Sequence, residues 1–137
     1  PVVLLEERLT RRILRVFYDV YNELGPGFLE SVYAGALQVA FDQCGLRAQR
    51  EHPLDVLFRG VRVGEFRADF VVESRIVLEL KVARTLTESH SGQLLNYLRA
   101  SRIEVGLLLN FGLEPRFRRL VSDNRRKQSA IIRANPR

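Results

Sequence analysis

Methionine and tryptophan are absent from this chain, and lysine occurs only twice against 20 arginines. Cysteine occurs once, as Cys44, so no internal disulfide framework can form. A lone thiol fits a reducing compartment, and a cytoplasmic location is expected. No apolar run approaches the roughly 20 residues of a membrane span, so no membrane partner is expected. The opening Pro1-Val2-Val3-Leu4-Leu5 lacks a basic segment and a long apolar one, so no signal peptide is expected there. Without Met, the natural N-terminus is expected to be missing or processed. The two histidines, His52 and His90, are too scattered to suggest zinc. Leu24-Gly25-Pro26-Gly27 is a turn and not a phosphate loop, because the Gly-Lys-Ser/Thr that would follow is missing.

What is present describes one globular domain. The chain has 137 residues, 46% hydrophobic and 28% charged. A chain of this size removes roughly two thirds of its unfolded surface from water and needs no structural metal to do so. The charge is uneven. Residues 1–113 carry 14 basic and 14 acidic side chains; residues 114–137 carry 8 and 2, which accounts for the net charge of +6. The domain is expected to span residues 1–121, followed by a basic, loose tail over 122–137. That tail suits a polyanion such as nucleic acid, or simply a solubilising terminus.

Spacing places the elements. Leu5, Leu9, Ile13, Val16, Phe17, Val20 and Leu24 recur at three and four, which predicts an amphipathic helix over 4–24. Gly25-Pro26-Gly27 breaks it. A second helix is predicted over 28–44, with Cys44 buried at its end beside Gly45. The period then changes to two. Strands are predicted over 51–58, 61–72 and 75–83, with Arg59-Gly60 turning the chain between the first two. Short turns make such strands antiparallel neighbours. Residues 85–100 return to helical spacing, with Thr87 as N-cap. Ile103 to Asn110 is almost wholly apolar, as in a strand covered on both faces. A last short strand is predicted over 117–121. This order implies an α/β domain with helices on both sides of one mixed sheet.

Asp69 to Lys81, D-F-V-V-E-S-R-I-V-L-E-L-K, holds charges out of place in central strands. Glu79 and Lys81 share a face of the third strand, about 7 Å apart. With Glu73-Ser74-Arg75 as the turn, Val72 faces Ile76, Asp69 faces Glu79 and Arg67 faces Lys81. Facing Cβ atoms are about 5 Å apart. Two carboxylates that close repel unless a proton or cation lies between them. Such an oxygen pair suits a hard divalent ion such as Mg²⁺. Lys81 beside it could hold a water or a developing negative charge. The bland alternative is a surface ion pair of Glu79 with Lys81. Against that stand the apolar strand around them and a lysine where this chain habitually uses arginine. His90, Gln93 and Tyr97 form a polar stripe on the following helix that could border the same cleft.

These residues resemble the PD-(D/E)xK nuclease superfamily, whose D…E-x-K pattern falls on Asp69, Glu79 and Lys81. The Q-x-x-x-Y motif of its RecB-like branch falls on Gln93 and Tyr97. The G-x-x-E-x-x-Y signature of one bacterial family within it falls on Gly27, Glu30 and Tyr33. Similarity to that GxxExxY family runs from about residue 10 to 121 and includes L-G-P-G, R-A-D-F, L-E-L-K, Q-L-L-N-Y-L and L-L-L-N-F-G. The proline that precedes the superfamily's Asp is replaced by Ala68.

The resemblance implies a restriction-endonuclease-like core, α-β-β-β-α-β, preceded by an extra N-terminal helix. It implies Mg²⁺ (or Mn²⁺) held by Asp69, Glu79, the backbone carbonyl of Leu80 and Glu30. It implies that Lys81 positions the attacking water and that Gln93 and Tyr97 line the site. From residues alone Glu30 reads as a carboxylate favouring its helix N-terminus, and Tyr33 as core. The expected function is a nuclease hydrolysing phosphodiester bonds, DNA more than RNA, with a metal-activated water. Arg67, Arg125, Arg126 and Lys127 are the candidate backbone contacts. The alternative is a catalytically silent module on the same fold that binds nucleic acid or a protein. A homodimer through the first helix would depend on Ile13 and Phe17.

Overall fold

The apolar stripe of the first helix settles which face of the sheet it covers. The computed structural model describes residues 4–124. Helix α1 (Glu7–Leu24) turns Leu9, Ile13, Val16, Phe17, Val20 and Tyr21 inward. Gly25, at φ 72°, ends it and donates its N–H to the Tyr21 carbonyl. Helix α2 (Glu30–Gln43) buries Tyr33, Ala34, Leu37 and Phe41 beside it. Ile13 and Phe17 are fully buried. Their surface therefore goes to the domain's own core, and a dimer built on them would require unfolding it.

The strands are β1 (Ala48–Phe58), β2 (Val61–Val72), β3 (Ile76–Lys81), β4 (Val105–Phe111) and β5 (Pro115–Val121), with helix α3 (Glu88–Ala100) between β3 and β4. They form one sheet in sequence order. β3 and β4 are parallel and the other pairs antiparallel. A parallel pair needs a crossover, and α3 supplies it on the face opposite α1 and α2. Ile76, Leu78 and Leu80 of β3 join the core under α1 and α2, whereas Val77 joins that under α3. Every residue of β4 is buried, as its unbroken apolar run predicts. Gly106 sits beneath Leu94, where an added Cβ would come within 3.0 Å of the leucine side chain.

The element order agrees with the sequence reading; the ends differ. β1 starts three residues earlier than alternation suggests, because Ala48, Gln49 and Arg50 pair with Val72, Val71 and Phe70 on an exposed edge. Edge position does not require an apolar side chain. α1 begins at Glu7 because Glu6 adopts φ 54°. Cys44 does end α2, but it is exposed, since the chain turns outward there through Gly45. Ser122 and Asn124, expected to lie in a loose tail, are held to the domain. Ser122 is buried and gives its N–H to the Glu104 carbonyl, and Asn124 donates to the Glu104 carboxylate and the Arg102 carbonyl. The expected contacts Arg125, Arg126 and Lys127 lie outside the described residues.

Candidate active site

β2 and β3 pair regularly from Val72↔Ile76 to Phe70↔Leu78, the register expected from the three-residue turn. Glu73 and Ser74 adopt left-handed conformations in that turn (φ 53° and 56°). The next rung would join Asp69 to Glu79, and there side chains replace the backbone ladder. Asp69 N–H donates to Glu79 Oε1 at 3.2 Å. Leu80 N–H donates to Asp69 Oδ2 at 2.7 Å. One oxygen of each carboxylate thus satisfies a backbone donor freed by the parting strands.

Burial, and then the charge of Asp69, push the Glu79 carboxyl up to about 8. A carboxyl–carboxyl hydrogen bond to Asp69 adds to the rise; the Asp69 N–H and Lys81 act against it. At neutral pH the pair therefore retains a proton, as two adjacent carboxylates must when no cation separates them. Glu30, the first residue of α2, is exposed. Its carboxyl is also raised, by partial desolvation and then by Asp69, and lowered by Lys81. Glu30 and Glu79 are thus each within electrostatic reach of both Asp69 and Lys81. Among the described residues, no three His, Cys, Asp or Glu side chains close into a metal cage. The donor set is a tight pair with a third carboxylate outside it.

Glu79 and Lys81 also line a shallow cleft with Phe66, His90, Gln93, Leu94 and Leu108. α3 presents His90 and Gln93 to it, and Thr87 fixes the start of that helix. The Thr87 hydroxyl accepts from His90 N–H, and His90 Nδ1 accepts from Thr87 N–H at 3.2 Å. His90 is therefore committed to a reciprocal cap through Nδ1.

Two expectations change here for one reason. Strict alternation would put Arg67 on the Asp69 face, opposite Lys81. Instead Val71, Ala68 and Phe66 all pack under α3, so the alternation of β2 changes phase around Asp69. Across the sheet, Glu51 takes φ 52° and interrupts the β1–β2 ladder at the same level. Arg67 consequently points out, donating to the Glu51 carbonyl at 3.2 Å and pairing with Glu65. Phe66 takes the inward place. Tyr97 stacks flat on it, centroids 3.4 Å apart and planes 7° from parallel. Tyr97 is therefore packed behind a lining residue rather than lining the cleft itself.

A family model of the PD-(D/E)XK nuclease superfamily matches residues 7–120. The chain belongs to this superfamily. A solved structure titled "Crystal structure of SSO0001" is similar in fold, with a TM-score of 0.53 at 20% identity. The similarity covers 78% of this chain and 60% of that one, so the chain spans less than two thirds of that protein's length. No curated protein sequence matches the chain. The architecture is restriction-endonuclease-like: an α/β core with a five-stranded mixed sheet. Membership in a nuclease superfamily connects the fold with nucleic acid and hydrolysis. No helix among the described residues is long and apolar enough to cross a membrane.

Two residues frame the candidate site from outside it: Tyr33, the last position of the G-x-x-E-x-x-Y signature, and Arg118, which carries no sequence signal of its own. Tyr33 is fully buried and stacks on Phe111 at 4.2 Å. Its hydroxyl donates to the Gly25 carbonyl at 2.6 Å and accepts from Phe28 N–H at 3.3 Å, pinning the loop from which Glu30 starts. Arg118 of β5 donates to the Leu86 and Thr87 carbonyls and to Ser91 Oγ, which anchors the start of α3. In the sequence Arg118 is one arginine in a basic segment.

Proposed function

We propose that the protein is a divalent-metal-dependent nuclease of the GxxExxY family, in the RecB-like branch, acting on DNA more readily than RNA. The observation that carries this reading is the Asp69–Glu79 pair at the parting of β2 and β3, with Lys81 on the Glu79 face. Residues 1–121 would form the single catalytic domain, and the basic residues Arg125, Arg126 and Lys127 would hold the nucleic-acid backbone.

The donors fit a hard cation. Mg²⁺ binds through one or two carboxylates and otherwise takes water and phosphate oxygens, so a pair suffices without a closed cage. Two adjacent half-buried carboxyls, one with its pKa pushed up by burial and by the other's charge, mark a place where positive charge is favourable. Asp69, Glu79 and the Leu80 carbonyl would hold Mg²⁺ or Mn²⁺, with Glu30 at its edge. When bound, the ion would polarise the phosphate as a Lewis acid. Lys81 would orient the attacking water and offset charge developing on the phosphate. Gln93, with both a donor and an acceptor, would hold the water or a phosphate oxygen from the α3 side.

Incubation with single-stranded, duplex and branched DNA and with RNA, in Mg²⁺ or Mn²⁺, tests the reading. Asp69→Ala and Lys81→Ala should abolish divalent-dependent cleavage while the fold survives. A wild-type protein that cuts none of these substrates would overturn it in favour of a silent binding module.

A further inference from the structure

The β3–β4 ladder ends at the pair Lys81↔Asn110. Beyond it β3 has no further rung, yet the chain is not released. The Asn110 side chain takes over the role of the next backbone partner. Its Oδ1 accepts from Ala83 N–H at 3.0 Å and its Nδ2 donates to the Ala83 carbonyl at 2.9 Å. Asn110 is only 1% exposed, one of few buried polar residues in a strand otherwise made of apolar side chains and glycine. A buried amide is costly unless satisfied, and this one is satisfied by a single residue of backbone two positions beyond Lys81.

Gly112 closes the grip. A Cβ there would stand 2.5 Å from the Ala83 carbonyl oxygen and 3.1 Å from Asn110 Nδ2. The glycine is therefore needed for the approach of backbone to backbone. The Tyr21 hydroxyl lies 2.7 Å from both the Gly112 and Leu113 carbonyls, which ties this turn to α1. The run Asn110-Phe111-Gly112 thus fixes Ala83 from two sides.

We infer that Asn110 is a positioning residue for Lys81: by holding Ala83 it keeps β3 extended past its last rung and fixes the direction in which Lys81 faces Glu79 and Asp69. Lys81 is the last residue of β3, and a strand end without a further partner frays. Lys81 itself forms no ion pair among the described residues, so no salt bridge would hold its ammonium in place if the backbone moved. The kinetic consequence rests on the nuclease reading; the geometric one does not.

Two measurements separate those. The chain has only two lysines, so reductive ¹³C-methylation of the full chain gives two lysine dimethyl signals, assigned with Lys127→Arg. In Asn110→Leu the Lys81 signal should shift and sharpen toward that of a freely moving lysine while Lys127 stays put. Gly112→Ala pushes on Ala83 from the other side with the amide intact, and should move the same signal; it decides the matter if Asn110→Leu does not fold. In cleavage, both variants should lose about 10- to 100-fold in kcat, the scale of a misplacement near 1 Å. Oligonucleotide affinity in Ca²⁺ should stay unchanged. An unmoved Lys81 signal in the folded variants, or unchanged kcat at reduced stability, overturns the inference. A wild type without nuclease activity overturns the proposed function, and the Lys81 signal still decides the role of Asn110.

Discussion

Asp69 and Glu79 meet where the β2–β3 ladder stops, and the Asp69 N–H donates to the Glu79 carboxyl in place of a strand partner. The pair therefore does two things at once. It finishes the backbone hydrogen bonding at the end of a hairpin, and it concentrates acidic groups in a half-buried place. The first role favours the folded state; the second opposes it whenever both groups ionise.

A pH dependence follows. The folded-state pKa of Glu79, about 8, lies above the ordinary 4.5. Protonation is thus favoured in the native state. The stability contributed by this group is full below about pH 4.5 and is lost as pH rises through about 8. Without divalent ions, wild type should lose at least several degrees of Tm between pH 5 and 8 relative to Glu79→Gln, since 1 kcal/mol moves Tm by about 3–5 °C at this size. Mg²⁺ should raise Tm more at pH 8 than at pH 5, because the ion replaces the retained proton. Parallel pH curves for wild type and Glu79→Gln by thermal melts would disprove the shared-proton arrangement.

Tyr33 tests the support of Glu30. Removing its hydroxyl leaves the Gly25 carbonyl and Phe28 N–H without that partner, while the ring and its stacking on Phe111 remain. Tyr33→Phe should cost about 1–2 kcal/mol, the scale of an unmade buried hydrogen bond. Urea unfolding should show a lower midpoint with an unchanged slope. The N–H of Phe28 should exchange faster, since the loop rather than the core is what loosens.

Most of this was legible in the sequence. The period-two and period-3.6 patterns located the eight elements among the described residues, because apolar periodicity reflects which face must be buried. The turn at Glu73–Arg75 set the register that brings Asp69 to Glu79. What alternation could not show was its own failure. The phase change at Asp69 places Phe66 rather than Arg67 toward α3. It arises from a left-handed Glu51 on the neighbouring strand and from side chains standing in for a rung, and neither leaves a mark in residue type. The anchoring by Arg118 was equally invisible, since it joins residues 27 to 32 positions apart through two backbone carbonyls and a serine hydroxyl.

The stacking of Tyr97 on Phe66 separates a packing role from a polar one. Tyr97→Phe keeps the ring and should change stability by less than about 0.5 kcal/mol. Tyr97→Ala removes the ring and should cost about 2–3 kcal/mol, as a partly buried aromatic contact does. Equal losses in the two variants, measured by urea unfolding, would mean that the hydroxyl and not the stack is what counts.

Arg118 makes three bonds with one guanidinium, and a lysine cannot reproduce that fork. Arg118→Lys should cost about 1–2 kcal/mol as carbonyls at the start of α3 lose their donors. Hydrogen exchange should rise at residues 87–91 and not in the middle of α1.

The chain's preference for arginine makes Lys81 the most discriminating single position. If Lys81 served as a surface charge, Lys81→Arg would be silent, because arginine supplies every other cation from residue 1 to 124. If it orients a water against a phosphate, a longer planar group misplaces its donors by an ångström or more. Cleavage in Mg²⁺ should then fall by about 100-fold or more, as expected for a displaced donor in a preorganised site. Tm should be unchanged, since Lys81 forms no ion pair among the described residues to be lost. Full activity in Lys81→Arg would leave positive charge as the requirement and remove the role assigned to a compact ammonium.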